Sequence, residues 1–299
     1  MQNNLLGIVA TLGAGAAMIA SDSFARAATH DVPLGAAIAG RGIVAFLILA
    51  AAAKASGQLQ WHPRMRSLPV LTRIMAEVGA GMFFIGSLQH IPIANAASVL
   101  QFIPLVTMLV ASVLFAEAVG WRRWLAGFAG LLGVLLILKP GTSGFTAWSL
   151  LAVGAMLCMA TRDLATSRIE RGVPTLLIGT VTAVATTTSG LVLLGLTDRP
   201  LLPTAASAGF VLGAGIALSI GFFCLVVAAR SAEMSAIAPF RYFTLLWAIL
   251  IGYFAWGEVP DDIAFVGIAI VVGSGLYAFA RERKLTRARR AAEPAIVVR

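Results

Sequence analysis

The sequence predicts an all-α integral membrane protein, built as ten transmembrane helices in two inverted five-helix repeats. Three observations carry that expectation. Hydrophobic residues make up 59% of the 299 residues and charged residues only 12%, about half the charged share of an average soluble domain. The apolar residues fall into ten runs of membrane-spanning length, and the chain aligns with itself at a single offset. Mean hydropathy is +0.92. A soluble core stops growing at about this chain length and cannot absorb that much apolar surface. Disorder requires the opposite composition.

A transmembrane helix needs about 20 mostly apolar residues. Spans are expected at 4–26, 33–53, 69–89, 93–115, 121–138, 145–166, 174–196, 205–228, 234–255 and 261–281. The first is read as a retained helix. Ala25-Arg26-Ala27 resembles a cleavage site, but no Lys or Arg precedes the apolar run as a signal peptide requires. Turn-forming residues then punctuate the chain in order: His30-Asp31-Val32-Pro33 after the first span and Trp61-His62-Pro63-Arg64 after the second. Lys139-Pro140-Gly141 follows the fifth, Gly172-Val173-Pro174 the sixth, Asp198-Arg199-Pro200 the seventh and Pro260-Asp261-Asp262 the ninth. The segments are twice too long for barrel strands and do not alternate. Cys158 and Cys224 both lie inside apolar runs, so no disulfide framework is implied.

Charge sets the orientation. On a soluble protein a net charge of +9 suggests nucleic acid; here the basic residues flank the spans, so no nucleic-acid partner is expected. With the N-terminus in the cytoplasm, that side collects Lys54, Arg64, Arg66, Arg73, Arg122, Arg123, Arg168, Arg171, Arg230 and the basic residues from Arg281 onward. The other side holds Arg26, Lys139 and Arg199. The bias places both termini inside a bacterial cytoplasmic (inner) membrane. The tail from 282 to 299 is a topology anchor that also meets anionic lipid.

Shifted by 141 residues, the sequence places Asp22 on Asp163, Val32-Pro33 on Val173-Pro174, Ala97 on Ala238 and Glu117 on Glu258. One residue of slippage later, Gly127 meets Gly267 and Gly133 meets Gly273. The expected units are residues 1–139 and 140–281, five spans each. An odd number of spans inserts the second upside down. Inverted repeats of this kind point to secondary transporters, whose site lies between the halves near the midplane.

The segments Ala94-Asn95-Ala96, Pro104, Phe115-Ala116-Glu117, Gly127 and Gly133 resemble an EamA signature of the drug/metabolite transporter superfamily. Ala238-Pro239-Phe240-Arg241-Tyr242, Gly257-Glu258, Gly267 and Gly273 resemble its second copy. The resemblance covers residues 5–281 and implies ten helices and a carrier for a small organic metabolite. Ala76-Glu77-Val78-Gly79, Arg162-Asp163-Leu164-Ala165-Thr166 and Ala238-Pro239-Phe240-Arg241-Tyr242 are most similar to a bacterial branch that includes riboflavin and S-adenosylmethionine transporters.

Ionisable side chains at membrane depth are expensive and mark pathways or pairs. Six lie within the spans: Asp22, Glu77 and Asp163 against Arg41, Arg162 and Arg241. At about 1.5 Å per residue, Glu77 and Arg241 stand at similar depth from the cytoplasmic face, within reach of each other. Arg41 and Gln101 stand as deep from the outer face. Arg41, Glu77, Gln101, Arg241, Tyr242 and Trp247 are therefore the candidate substrate-binding residues. Two readings of Glu77 and Arg241 stay open, a static pair locking two spans and a pair facing the cavity. Trp247 likewise either stacks on a flat ring beside Tyr242 or packs in the core. Asp22 and Asp163 are candidates for gating or coupling, with a plain structural role as the alternative. A neighbouring arginine opposes the near-neutral pKa that proton coupling needs.

No Walker motif, metal-ligand cluster or protease constellation is present in the sequence, so no cofactor, metal or enzymatic activity is expected. The favoured expectation is uptake of riboflavin or a similar heteroaromatic by alternating access, in a monomer or homodimer. The alternative is an amino-acid or amine exporter; a channel or an intramembrane enzyme ranks below both.

Overall fold

The computed structural model describes residues 4–60, 62–103, 106–107, 110, 121–138, 147–170, 172–196, 203–231, 240–241 and 243–292. Ten α-helices lie among them: α1 (Asn4–Ala28), α2 (Leu34–Ala55), α3 (Leu68–Leu88), α4 (Ile93–Leu100), α5 (Trp121–Leu138), α6 (Ser149–Ser167), α7 (Thr175–Gly195), α8 (Ala205–Ser231), α9 (Phe243–Trp256) and α10 (Asp262–Ala292). Six segments are long and apolar enough to cross a membrane, namely Leu5–Ala28, Leu34–Ala55, Leu68–Leu88, Ser149–Ser167, Thr175–Gly195 and Ala205–Ala228. No strand occurs among the described residues.

Proline sets several starts. Pro33, Pro92 and Pro174 sit at the N-caps of α2, α4 and α7, where a missing N–H costs nothing because the first helical donors lack partners anyway. The fourth expected span differs from one continuous helix. Regular α-helix stops at Leu100, and the Gln101 and Phe102 N–H groups donate to Ser98 and Val99, three residues back, each at 3.1 Å. Pro104, which lies outside the described residues, is the sequence signal for such a break, since a proline has no N–H to give a continuing helix. The last helix continues through Ala292, so the basic tail begins as an extension of α10.

The principal packing partners are α1 with α8, α2 with α7, α3 with α6 and α5 with α10, each joining a helix before residue 139 to one after it. Two of these contacts are backbone against backbone. A Cβ on Gly35 would stand 2.6 Å from the Gly190 carbonyl, and one on Gly190 2.8 Å from the Gly35 carbonyl. Gly133 and Gly267 stand in the same reciprocal relation across α5 and α10, at 2.8 and 2.7 Å. Small residues at helix crossings are how helices associate without a hydrophobic driving force.

Ile19, Phe84, Val99, Met156, Leu245 and Val271 belong to the largest buried cluster, at the centre of the bundle. Large apolar side chains also face outward, with Leu196 and Phe254 each 80% exposed. In water such a surface is a liability; in lipid it is the solvated face. Most hydroxyls inside the described helices return to carbonyls on their own helix, as from Ser98 to Ala94 at 2.6 Å and from Thr180 to Leu176 at 2.8 Å, while Ser21 of α1 donates to the Ala214 carbonyl of α8 at 2.8 Å.

Candidate functional site

At the end of the bundle where α3 begins and α6 ends, ionisable groups from three segments form one chain of contacts. Arg162 of α6 places Nη1 3.3 Å from a Glu77 oxygen on α3. Its Nε and Nη2 donate to Asp163 at 2.9 and 2.8 Å. Arg73, one turn before Glu77 on the same face of α3, reaches Glu77 at 3.8 Å and donates to the Thr182 hydroxyl of α7 at 3.0 Å. Arg241, in the short turn before α9, approaches the other Asp163 oxygen at 3.7 Å with half of its side chain exposed. Isolated charges at this depth would carry a large desolvation cost, which alternating partners offset.

Glu77 and Arg241 thus belong to one network without touching. Arg162 and Arg73 take Glu77, and Arg241 turns to Asp163. Depth along a helix fixes a residue's height but not its azimuth, and Glu77 faces α6. Arg41, 5% exposed, pairs with Asp22 across α2 and α1 at 2.8 Å. The pair lies against Gly81, one turn beyond Glu77, where an added Cβ would sit 3.4 Å from the guanidinium. Gln101 is buried where α4 is interrupted. Tyr242 lies outside the described residues.

Trp247 packs against the central cluster and also lines an apolar cleft of about 670 Å³ between α1, α8 and α9, with Gly13, Ala17, Ala217 and Leu250. Its indole Nε1 is buried with no hydrogen-bond partner among the described residues, and so is Oδ1 of Asn95 on α4. A donor on α9 and an acceptor on α4 are therefore open to a ligand or water.

A second cluster occupies the opposite end. Arg26, near the end of α1, holds Glu258 at 2.7 Å, and the second Glu258 oxygen accepts the Ile93 N–H at the start of α4, at 2.9 Å. The Arg26 guanidinium lies 4.3 Å over the Trp256 ring, whose Nε1 donates to the Ser23 hydroxyl at 3.0 Å. Arg26, which the sequence counts among the outer-side charges, and Arg73, which it counts among the cytoplasmic-side charges, both lie within helices, in the last turn of α1 and the second turn of α3. Opposite charge at two span ends on one side is the signal the sequence offers for pairing Arg26 with Glu258. Among the described residues no group of three or more His, Cys, Asp or Glu side chains is placed to hold a metal.

The profile of the EamA-like transporter family matches this chain at residues 5–139 and again at 146–279. Among curated proteins it is similar to a riboflavin transporter of Vibrio cholerae serotype O1, 27% identical over 235 residues, covering 78% of this chain and 76% of the relative. A riboflavin transporter of Rhizobium johnstonii is 26% identical over 220 residues, 73% of this chain and 72% of that one. An S-adenosylmethionine uptake transporter of Rickettsia bellii is 26% identical over 193 residues, 64% of this chain and 66% of the relative. A protein crystal structure superposes with a TM-score of 0.64 at 20% identity, covering 92% of this chain and 95% of the other, a likeness of fold.

Proposed function

This chain belongs to the EamA-like transporter family and is a multi-pass membrane protein; from that premise we propose that it carries riboflavin or a similar heteroaromatic metabolite into the cytoplasm by alternating access. The observation that carries the reading is the ion-pair network Glu77–Arg162–Asp163–Arg241, which spans α3, α6 and the turn before α9. Its signs alternate and its outermost cation is half exposed, so a partner can be exchanged for a substrate contact without stranding a charge. The Trp247 donor and the Asn95 acceptor, without partners among the described residues, suit a planar ring with both kinds of polar edge. Relatives named riboflavin transporters support the ring class.

In this reading all ten helices span the bilayer, and residues 1–139 and 140–281 are two inverted repeats. The packing supports it: exchanging the first five helices for the last five turns α1·α8 into α6·α3, and returns α2·α7 and α5·α10 to themselves. The double match of one family profile supports it too. Both termini lie in the cytoplasm of a bacterial inner membrane, with the tail from 282 on anionic lipid. The chain performs no catalysis and uses no cofactor.

Counterflow in proteoliposomes tests the substrate. Preloading with riboflavin accelerates uptake of labelled riboflavin if the reading is right, and a panel of flavins, S-adenosylmethionine and amino acids ranks the alternatives. Linear flux without exchange stimulation indicates a channel and overturns it. A second reading, a carrier of amino-acid or amine metabolites, draws on the same network. The Arg241 guanidinium beside the Asp163 carboxylate offers a partner to each pole of a zwitterion, and the relative named for S-adenosylmethionine uptake moves a molecule with such a group.

A further inference from the structure

We propose that Arg26 and Glu258, with Trp256 as their platform, form the gate that closes one end of the bundle and part once in each transport cycle. The proposal rests on the carrier reading above. α9 stops at Trp256 because Gly257 takes the left-handed conformation at φ +64, and the Glu258 N–H then donates back to the Gly252 carbonyl at 3.0 Å. That turn aims the Glu258 carboxylate across the bundle. One oxygen meets Arg26 of α1 and the other meets the N-terminus of α4, whose free N–H groups favour an anion. A single side chain thereby ties three helix ends.

Three features make this a gate rather than a fixed joint. First, the seal is made of side chains. The Arg26 and Glu258 side chains are 14% and 16% exposed, and the attraction of a buried ion pair is largely offset by lost hydration. Opened to water, both charges recover much of that hydration, which lowers the cost of opening while the closed arrangement stays favoured. The backbone contact of Gly133 with Gly267 has no such exchange. Second, the seal adjoins the cleft between α1 and α9: Ala20 and Ala255 line the cleft, and the Trp256–Ser23 bond joins the two helices within one turn of them. Freeing the end of α9 from α1 widens the cleft toward the central cluster of Ile19 and Ile93. Third, the two ends differ. At the other end Arg241 is half exposed and reaches its partner at 3.7 Å, a looser contact than the 2.7 Å between Arg26 and Glu258, the asymmetry that alternating access requires.

The test reads accessibility. In a Cys158→Ser/Cys224→Ser background, Ala94→Cys places a reporter beside Ile93, at a position 1% exposed, for labelling by a membrane-impermeant maleimide on reconstituted protein. Glu258→Gln is expected to raise the labelling rate roughly tenfold, the scale of one charge-assisted contact. Trp256→Phe keeps the ring under Arg26 but loses the bond to Ser23, and gives a smaller increase. Labelling at the parent rate in both folded single variants overturns the gate, and Trp256→Phe decides alone if Glu258→Gln fails to fold. Labelling needs no substrate, so an absence of flux across the whole panel overturns the carrier reading separately.

Discussion

Arg162 folds back on its sequence neighbour Asp163, with Nε and Nη2 at 2.9 and 2.8 Å from one carboxylate oxygen, while its Nη1 crosses to Glu77 on α3 at 3.3 Å. One cation answers two anions on two helices. Arg162→Gln leaves Glu77 to Arg73 and Asp163 to Arg241, at the longer distances of 3.8 and 3.7 Å. The expected loss is about 1–3 kcal/mol, the scale of charge-assisted hydrogen bonds lost at partly exposed groups, read as a lower unfolding midpoint in detergent. Adding Glu77→Gln to Arg162→Gln restores part of that stability. A double variant as unstable as the sum of the singles shows that the two residues are not coupled.

Arg241 sets the opposite expectation. Its side chain is half exposed and its single ion-pair contact is long, at 3.7 Å, so Arg241→Ala costs less than about 1 kcal/mol of stability. Counterflow nevertheless falls at least roughly tenfold, the effect of removing one charged substrate contact. Glu77→Ala also loses transport but costs more stability, because Glu77 answers both Arg73 and Arg162. Wild-type flux in both variants, each correctly inserted, removes this network from the substrate path.

The reciprocal glycines give a prediction that depends on shape alone. Any side chain at Gly190 or Gly35 meets backbone of the other helix, and backbone cannot move aside as a side-chain end can. Gly190→Ala is expected to destabilise by about 1–3 kcal/mol through overpacking. Gly209→Ala, where an added Cβ has nothing within 4 Å, is expected to leave the unfolding midpoint unchanged. Equal effects at the two positions contradict close approach of α2 and α7.

Helix positions were legible in the sequence wherever a long apolar run began at a proline, as at Pro33 and Pro174, because both signals are local. The interruption at Gln101 was signalled by Pro104, but its consequence depends on how neighbouring helices receive the freed carbonyls. The buried charges were legible as residues and not as pairs. Asp22 and Arg41 are 19 positions apart and meet only because α1 and α2 pack side by side. Arg162 displaces Arg241 from Glu77 through a difference in azimuth that depth arithmetic does not contain. The contacts of Glu258 depend on Gly257, one positive φ that redirects a residue lying just past the end of a span.

Trp247 separates substrate binding from packing by the sign of a stability change. Its Nε1 is buried and has no partner among the described residues, so the protein itself gives this donor no bond there. Trp247→Phe keeps an aromatic ring against the central cluster and removes that donor. Removing an unsatisfied buried donor costs little and can stabilise, although the smaller ring gives back part of the gain as lost contact. The unfolding midpoint is therefore expected to hold or rise slightly. If the donor serves a substrate carbonyl or ring nitrogen, apparent affinity in counterflow weakens by roughly tenfold, again the scale of one hydrogen bond. Trp247→Leu loses the flat surface as well and weakens affinity further. A packing role predicts the reverse pattern, with a lower midpoint in both variants and unchanged affinity in whatever protein inserts. Melting curves and substrate titrations on the same preparations distinguish the two.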